Sequence, residues 1–488
     1  MTDLSAWRLA TILRLTRPVG TEKPIEILSC LILWLVAAGL VFLLDASPAS
    51  ALPSFSAQTG QPCTSCHIGA FGPQLTPFGR AFKIGGYTQQ GGEGIAAHIP
   101  LSAMLLGSFN TTGGSIPEGT QVPHYATNNN FAMDQISVFL AGRVNDYAGG
   151  FVQGTFNGIA STFKLDNTDL RLTAPFDTKT SEIRIGLSVN NGPTVQDPFN
   201  STFAWGYPYV SSAFLQVPQA QPLLAGALIG NSIGTTVYAW YDRSLYLEGG
   251  AYSSYGPSLL QYAGTTYPGA PLGGTSGLAP YLRAAYEWNW NQQSAHVGGL
   301  FFYSDFNPNA GGKMRSVDPS FGRNNYTDFA IDGGYQYLGD GTHVGTVYGI
   351  YVNEQQNLNG AFAGGTSDQS RNNLNQIRLN ASYFYQQTYG ATIGWQKTWG
   401  TPNQLLYGST NPISGSANGK PNSNSFSIEA DWVPFGKADS WMGPWANLKL
   451  GVQYVIYTQF NGAATNYDGN GRNASANNTL YAFAWVAF

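Results

Sequence analysis

Leu282-Arg283-Ala284-Ala285-Tyr286-Glu287-Trp288-Asn289-Trp290 alternates with a period of two. Leu282, Ala284, Tyr286, Trp288 and Trp290 fall on one side, and Arg283, Glu287 and Asn289 on the other. Successive side chains of a strand point to opposite faces, so this segment reads as a strand with one apolar and one charged face. The pattern recurs down the chain. Phe426, Ile428, Ala430 and Trp432 oppose Ser427, Glu429 and Asp431. Ile377, Leu379, Ala381, Tyr383 and Tyr385 oppose Arg378, Asn380 and Ser382. From Leu448 to Tyr454 the apolar set opposes Lys449 and Gln453. A soluble β-sandwich shows the same alternation with the apolar face inward. The final stretch favours the opposite sense. Thr479-Leu480-Tyr481-Ala482-Phe483-Ala484-Trp485-Val486-Ala487-Phe488 is a short apolar and aromatic segment ending in Phe. On a soluble protein it would leave an adhesive edge, whereas a closing barrel strand has no edge.

Composition agrees. Only 10% of the 488 residues are charged, 14% are aromatic, and there are 60 glycines. Beyond the first fifty or so residues no apolar run is long enough for a membrane-spanning helix. Apolar segments of roughly ten residues, separated by Gly/Asn/Ser/Pro-rich loops, are the signature of a transmembrane barrel. The expected fold is therefore all-β. It is a transmembrane antiparallel β-barrel over residues 98–488, of about 16 strands and an even number. A barrel of that size holds water unless something fills it. The formal net charge is −4 and no basic patch stands out, so nucleic acid is not an expected partner and outer-membrane lipid is. The N-terminus carries Arg8, Arg14, Arg17 and Lys23, then an uncharged run from Ile27 to Leu44, then Ala49-Ser50-Ala51. This reads as a signal peptide over residues 1–51, with an uncleaved anchor as the alternative.

Two neighbouring segments place charges on one parity, Asp169 with Arg171 and Glu182 with Arg184. A hairpin through 174–180 would bring all four together in the lumen as an ion-pair network. The aromatic stretch Val195 to Tyr209 interrupts the strand pattern and carries one carboxylate, Asp197. It reads as an interfacial loop; folding into the lumen is the alternative.

The chemistry-bearing motif is Cys63-Thr64-Ser65-Cys66-His67. C-x-x-C-H reads as covalent haem attachment, two thioethers with the adjacent His as iron ligand. The chain has three cysteines, and Cys30 lies in the expected signal, leaving the motif pair alone. A disulfide suits an exported protein. A zinc half-site lacks its second Cys pair. Residues 52–97 thus form a c-type haem segment that one covalent haem c would help to fold. Within it, Thr76 reads as an N-cap, Pro77 as the first helical residue and Gly85 as the stop. Phe78 and Phe82 share a helix face suited to packing on a porphyrin. Arg80 and Lys83 are candidates for the haem propionates. For the sixth iron position, Met104 is preferred to His98. Both have even numbers at the start of the first strand, and Met raises the potential.

An exported C-x-x-C-H, then Pro73-Gln74-Leu75-Thr76-Pro77-Phe78-Gly79-Arg80-Ala81-Phe82-Lys83 with Gly86-Tyr87, then a barrel to a terminal Phe, resembles the fused cytochrome–porin outer-membrane iron oxidases of iron-oxidising bacteria. The specific part of the likeness spans Cys63 to Tyr87, and the barrel matches in type. The resemblance implies a single-haem cytochrome plugging an outer-membrane barrel. It also implies an oxidoreductase of the iron:cytochrome c type that oxidises Fe(II) outside and passes electrons to a periplasmic cytochrome or copper protein. Cys63, Cys66 and His67 carry over directly. An outer-membrane electron conduit for a different donor or acceptor is the alternative, and a diffusion porin with an N-terminal plug is the competing class.

Overall fold

The computed structural model describes residues 54–201, 208–225, 232–253, 274–275, 277–307, 322–408, 413–442 and 446–488. The expected signal peptide lies outside them. The strands begin with β1 (Leu101–Thr112), β2 (Asn130–Arg143), β3 (Ala148–Asn157), β4 (Thr162–Pro175), β5 (Ile183–Asn190), β6 (Ile233–Tyr241) and β7 (Leu245–Ser253). After the two-residue β8 (Gly274–Thr275) come β9 (Ala279–Trp290), β10 (Gln293–Asn307), β11 (Asn324–Tyr337), β12 (His343–Asn357) and β13 (Arg371–Tyr385). β14 (Tyr389–Gly400), β15 (Ser423–Trp432), β16 (Asn447–Gln459) and β17 (Thr479–Ala487) complete the set. Each long strand pairs antiparallel with its sequence neighbours, β7 pairs with β9, and β1 closes on β17 with Met104 opposite Ala487 and Thr112 opposite Thr479. Setting aside β8, the result is a closed antiparallel barrel of sixteen strands.

The alternation sorts as expected. Leu282 is 56% exposed and its neighbour Arg283 2%. Phe426, Ile428, Leu379, Val452 and Ile331 lie on the outer wall, while Gln376, Glu429, Lys449 and Gln453 are buried inside. Tyr286, Trp288, Trp290, Tyr337, Tyr383, Tyr385, Tyr389 and Trp432 form an exposed aromatic band beside the turns 291–292 and 386–388. Such bands mark a membrane interface. A closed ladder with an apolar exterior satisfies every backbone group without an edge, the condition for crossing a bilayer by strands. The chain is a β-barrel protein of the Gram-negative outer membrane. In such barrels short turns face the periplasm and long loops the cell surface. β1 begins, and β17 ends, at the short-turn mouth. Several of these turns place two non-glycine residues at positive φ, as at Asn291 and Gln292 or Gln386 and Gln387, the conformation that two-residue hairpins require.

The lumen is filled from both ends. Residues 54–100 enter from the short-turn mouth as short helices, Ser54–Thr59, Cys63–Cys66 and Pro77–Ile84. The connection after β5 enters from the long-loop end. Thr194, Val195, Gln196, Asp197 and Phe199 are all buried. The Val210 carbonyl then accepts from Gln453 on β16, and further on the Leu223 and Leu224 amides donate to Glu354 and Asp328 on β12 and β11. The expectation of an interfacial loop over Val195 to Tyr209 is corrected for its described residues. Lys83 of the segment draws Val195 and Asp197 inward by their carbonyls.

The four-charge hairpin is half right. Asp169 and Arg171 pair inside the lumen at 2.9 Å, fully buried. Glu182 falls beyond the ladder, because Pro175 is already opposite Arg184, and it pairs with Arg243 at 2.7 Å in solvent.

Candidate functional site

Cys63 and Cys66 start and end a single helical turn, so both thiols project from the same side. They are free and half-buried, and no disulfide joins them. Burial pushes the Cys63 thiol up to about 11 and the Cys66 thiol up to about 12. His67 leaves the turn in extended conformation and pairs with Leu75 as an isolated bridge. Burial pulls its imidazole down to about 4, against a backbone hydrogen bond with Gly72, so the ring is neutral near pH 7. A neutral imidazole is the form that binds a metal. Two free thiols on one turn followed by a neutral His is a donor set that fits covalent haem. Among the described residues no cluster of three or more His, Cys, Asp or Glu side chains forms a metal cage.

The turn is packed against the next helix. Thr76 caps Pro77–Ile84 through Gly79 N at 3.1 Å, and the Thr76 amide donates to Cys66 O at 2.9 Å. A Cβ on Gly79 would collide with the Cys66 carbonyl, so glycine is what allows this approach. The barrel holds the turn from the short-turn side. Thr64 N donates to Gly436 O, Gly69 N to Gln387 Oε1 at 3.1 Å, and Asn447 Nδ2 to Ala70 O at 2.6 Å. Phe71 meets Trp485 edge-on at 4.8 Å. The cysteines therefore sit at the periplasmic mouth.

The rest of the expected site is rearranged. Arg80 and Lys83 do not face the cysteine turn. Arg80 donates to Glu287 at 2.6 Å, Ser294 at 2.8 Å, Gln336 at 3.2 Å and the Leu75 carbonyl at 2.7 Å. Lys83 donates to Val195 O at 2.6 Å and Asp197 O at 3.2 Å. Burial pulls its ammonium down to about 8, although Asp169 and Asp197 lie close. Both cations are engaged by wall and loop, and the expectation that they hold propionates is corrected. Phe82 packs edge-on to Phe55 at 5.1 Å and to Tyr87 at 5.6 Å. Phe78 lines a cavity of about 400 Å³ at the same mouth. Met104 is buried in the lumen with Leu106, Tyr481, Phe483 and Trp485, the cluster that Phe71 joins. His98 is exposed in a 3-10 turn before β1, so strand parity does not apply to it and the expected equivalence with Met104 fails.

Sequence reading missed an inner charge network. Arg283 bridges Asp332 at 2.9 Å and Asp197 at 3.5 Å. His296 approaches Asp332 at 3.2 Å and lies 4.7 Å from the Phe199 ring. Tyr87 donates to Asp169 at 2.7 Å. The inward parity of Arg283 and Asp332 was the available signal.

The sequence matches no protein-family model and no curated protein. Among solved structures, OprB of Pseudomonas putida at high pH aligns over 80% of this chain and 93% of its own, at 12% identity and TM-score 0.44. OmpF of Salmonella typhi, in complex with daunomycin, aligns over 80% and 97%, at 11% identity and TM-score 0.41. The outer membrane channel DcaP of Acinetobacter baumannii aligns over 80% and 96%, at 12% identity and TM-score 0.38.

Proposed function

We propose that this protein is an outer-membrane electron conduit, an oxidoreductase that takes electrons from Fe(II) outside and delivers them to a periplasmic cytochrome or copper protein. The observation that carries this reading is the pairing of two free thiols and a neutral His67 at the periplasmic mouth with a lumen closed by the chain itself. Cys63 and Cys66 would hold one haem c by thioether bonds, and His67 would ligate its iron. When bound, the haem supplies one-electron acceptance and release, with ligand, burial and nearby charge setting its potential. Met104 faces the lumen beside the segment and, in preference to His98, would supply the iron's further protein ligand. The half-exposed cysteine turn leaves a carrier room to approach from the periplasm. The filled lumen keeps ferric products outside.

A diffusion porin needs an open path, and residues 54–100, 191–201 and 208–225 lie in the way of one. The full-length protein, mixed anaerobically with Fe(II), should show the sharp visible bands of a reduced c-type haem. In planar bilayers it should conduct far less than an open sixteen-stranded barrel. Bands with dithionite and none with Fe(II) would retain the conduit and remove iron as donor. Absence of covalent haem from the matured protein would overturn the reading.

A further inference from the structure

The outer wall over β14, β15 and β16 is apolar from the short-turn mouth upward. Tyr389, Ile393, Ile428, Val452 and Tyr454 are all exposed on it. Lys397 breaks that run. It shares the parity of Tyr389 and Ile393 and is exposed, so its side chain leaves the barrel on the lipid side. Tyr389 belongs to the aromatic band at the short-turn mouth, and Lys397 is eight residues further along β14. That is roughly 27 Å of strand at about 3.4 Å per residue, or roughly 20 Å of height at a tilt of about 40°. The apolar band of such barrels is about 25 Å tall, so Lys397 stands near its upper edge. Its Nζ lies 5.6 Å from the Trp399 ring, which stacks on Tyr351 at 6.2 Å. Trp and Tyr in that position mark the second membrane interface. Among the described residues no carboxylate pairs with Lys397.

Beside Lys397 the wall opens into a groove of about 580 Å³. A break in the ladder shapes it. Asn424 is opposite Gln459 and Ser425 opposite Tyr457, so Thr458 is the extra residue of a β-bulge. A bulge bends its strand and re-aims a side chain. Here Thr458 turns outward beside Asn424. Trp395 Nε1 donates to Asn424 Oδ1 at 2.7 Å, and Asn424 Nδ2 to Thr458 Oγ1 at 2.5 Å. Gln459 and Ala464 line the long-loop end of the groove and Phe426 the end towards the apolar band. Lys397 is the one charged side chain in this lining.

The groove therefore has an apolar end at the membrane, hydroxyl and amide groups above it, and one cation. Long loops face the cell surface, so this half of the wall meets the outer leaflet. That leaflet is built from a glycolipid that carries phosphates on an acylated disaccharide. We propose that the groove binds one such phosphorylated glycolipid. Lys397 holds a phosphate, Asn424, Thr458 and Gln459 meet sugar hydroxyls, and an acyl chain runs down past Phe426. An ammonium–phosphate contact is charge-assisted, and at the edge of the bilayer it is only partly screened by water.

The test uses the full-length mature protein in mild detergent, incubated with lipid A and weighed intact by native mass spectrometry. One lipid A per chain should be retained. Lys397→Gln should weaken retention about fivefold, the worth of one basic residue at an anionic headgroup surface. Lys397→Arg should restore it. Asn424→Ala should also weaken retention. Lys164→Gln removes an exposed cation from β4, on the far side of the ring, and should change nothing. Heat-modifiable migration confirms that each variant keeps its barrel. Phosphatidylglycerol should be retained less well than lipid A. Equal retention of lipid A by wild type and Lys397→Gln would overturn the proposal. So would a loss as large in Lys164→Gln, because any surface cation would then serve. Equal retention of phosphatidylglycerol and lipid A would overturn the choice of a glycolipid. None of these readouts involves haem, so the result stands apart from the function proposed above.

Discussion

The two sides of the lumen grip the same segment by different means. Towards β9, β10 and β11 the contact is ionic and dry. The Arg80 and Glu287 side chains are each 2% exposed and 2.6 Å apart. Towards β13 to β17 the contact is neutral and lies near the mouth, through Gln387, Gly436, Asn447 and the Phe71–Trp485 pair. A buried ion pair is no reliable source of net stability, yet losing one partner is costly. The charged wall therefore fixes where the segment sits. The neutral wall meets the turn that carries the two thiols.

The sharpest break of this comparison is at the thiols. Cys63→Ala with Cys66→Ala should abolish haem staining on a denaturing gel while the barrel keeps its heat-modifiable migration. Arg80→Met comes next. It strands Glu287 and should cost about 3–5 kcal/mol, read as a lower thermal transition, and Arg80→Met with Glu287→Met should recover much of the loss. Lys83 gives a pH test. Burial pulls its amine down to about 8 in the folded chain from its ordinary 10.5. Between these values the unfolded chain holds the extra proton, so stability contributed here rises with pH from about 8 to 10. Lys83→Met should flatten that rise in a melting series. On the neutral wall, Phe71→Leu should cost only about 0.5–1.5 kcal/mol beyond lost area. If it destabilised the segment as much as Arg80→Met, the contrast between the walls would be wrong.

Much of the barrel was legible because parity is a local property. Leu282 to Trp290 and Ser425 to Val433 declare their faces without any knowledge of their neighbours, and the inner and outer sets fall where alternation puts them. The cysteine motif was legible for the same reason, being contiguous. What failed was non-local. Arg80 finds Glu287 across 207 positions, and nothing beside Arg80 in the sequence announces that partner. The loop after β5 is held inside by Lys83 on its carbonyls and by Arg283 on the Asp197 carboxylate, partners that lie far away in the sequence. His98 was misjudged because β1 starts three residues later than a parity argument needs. Glu182 was misjudged because the ladder ends before it.

The two fillings of the lumen arrive from opposite ends of the barrel and come from separate stretches of chain. Each is anchored to the wall by its own contacts, Arg80 on Glu287 for one and Leu223 and Leu224 on Glu354 and Asp328 for the other. On the proposed reading, losing either filling alone would leave the other in the lumen, held by its own contacts.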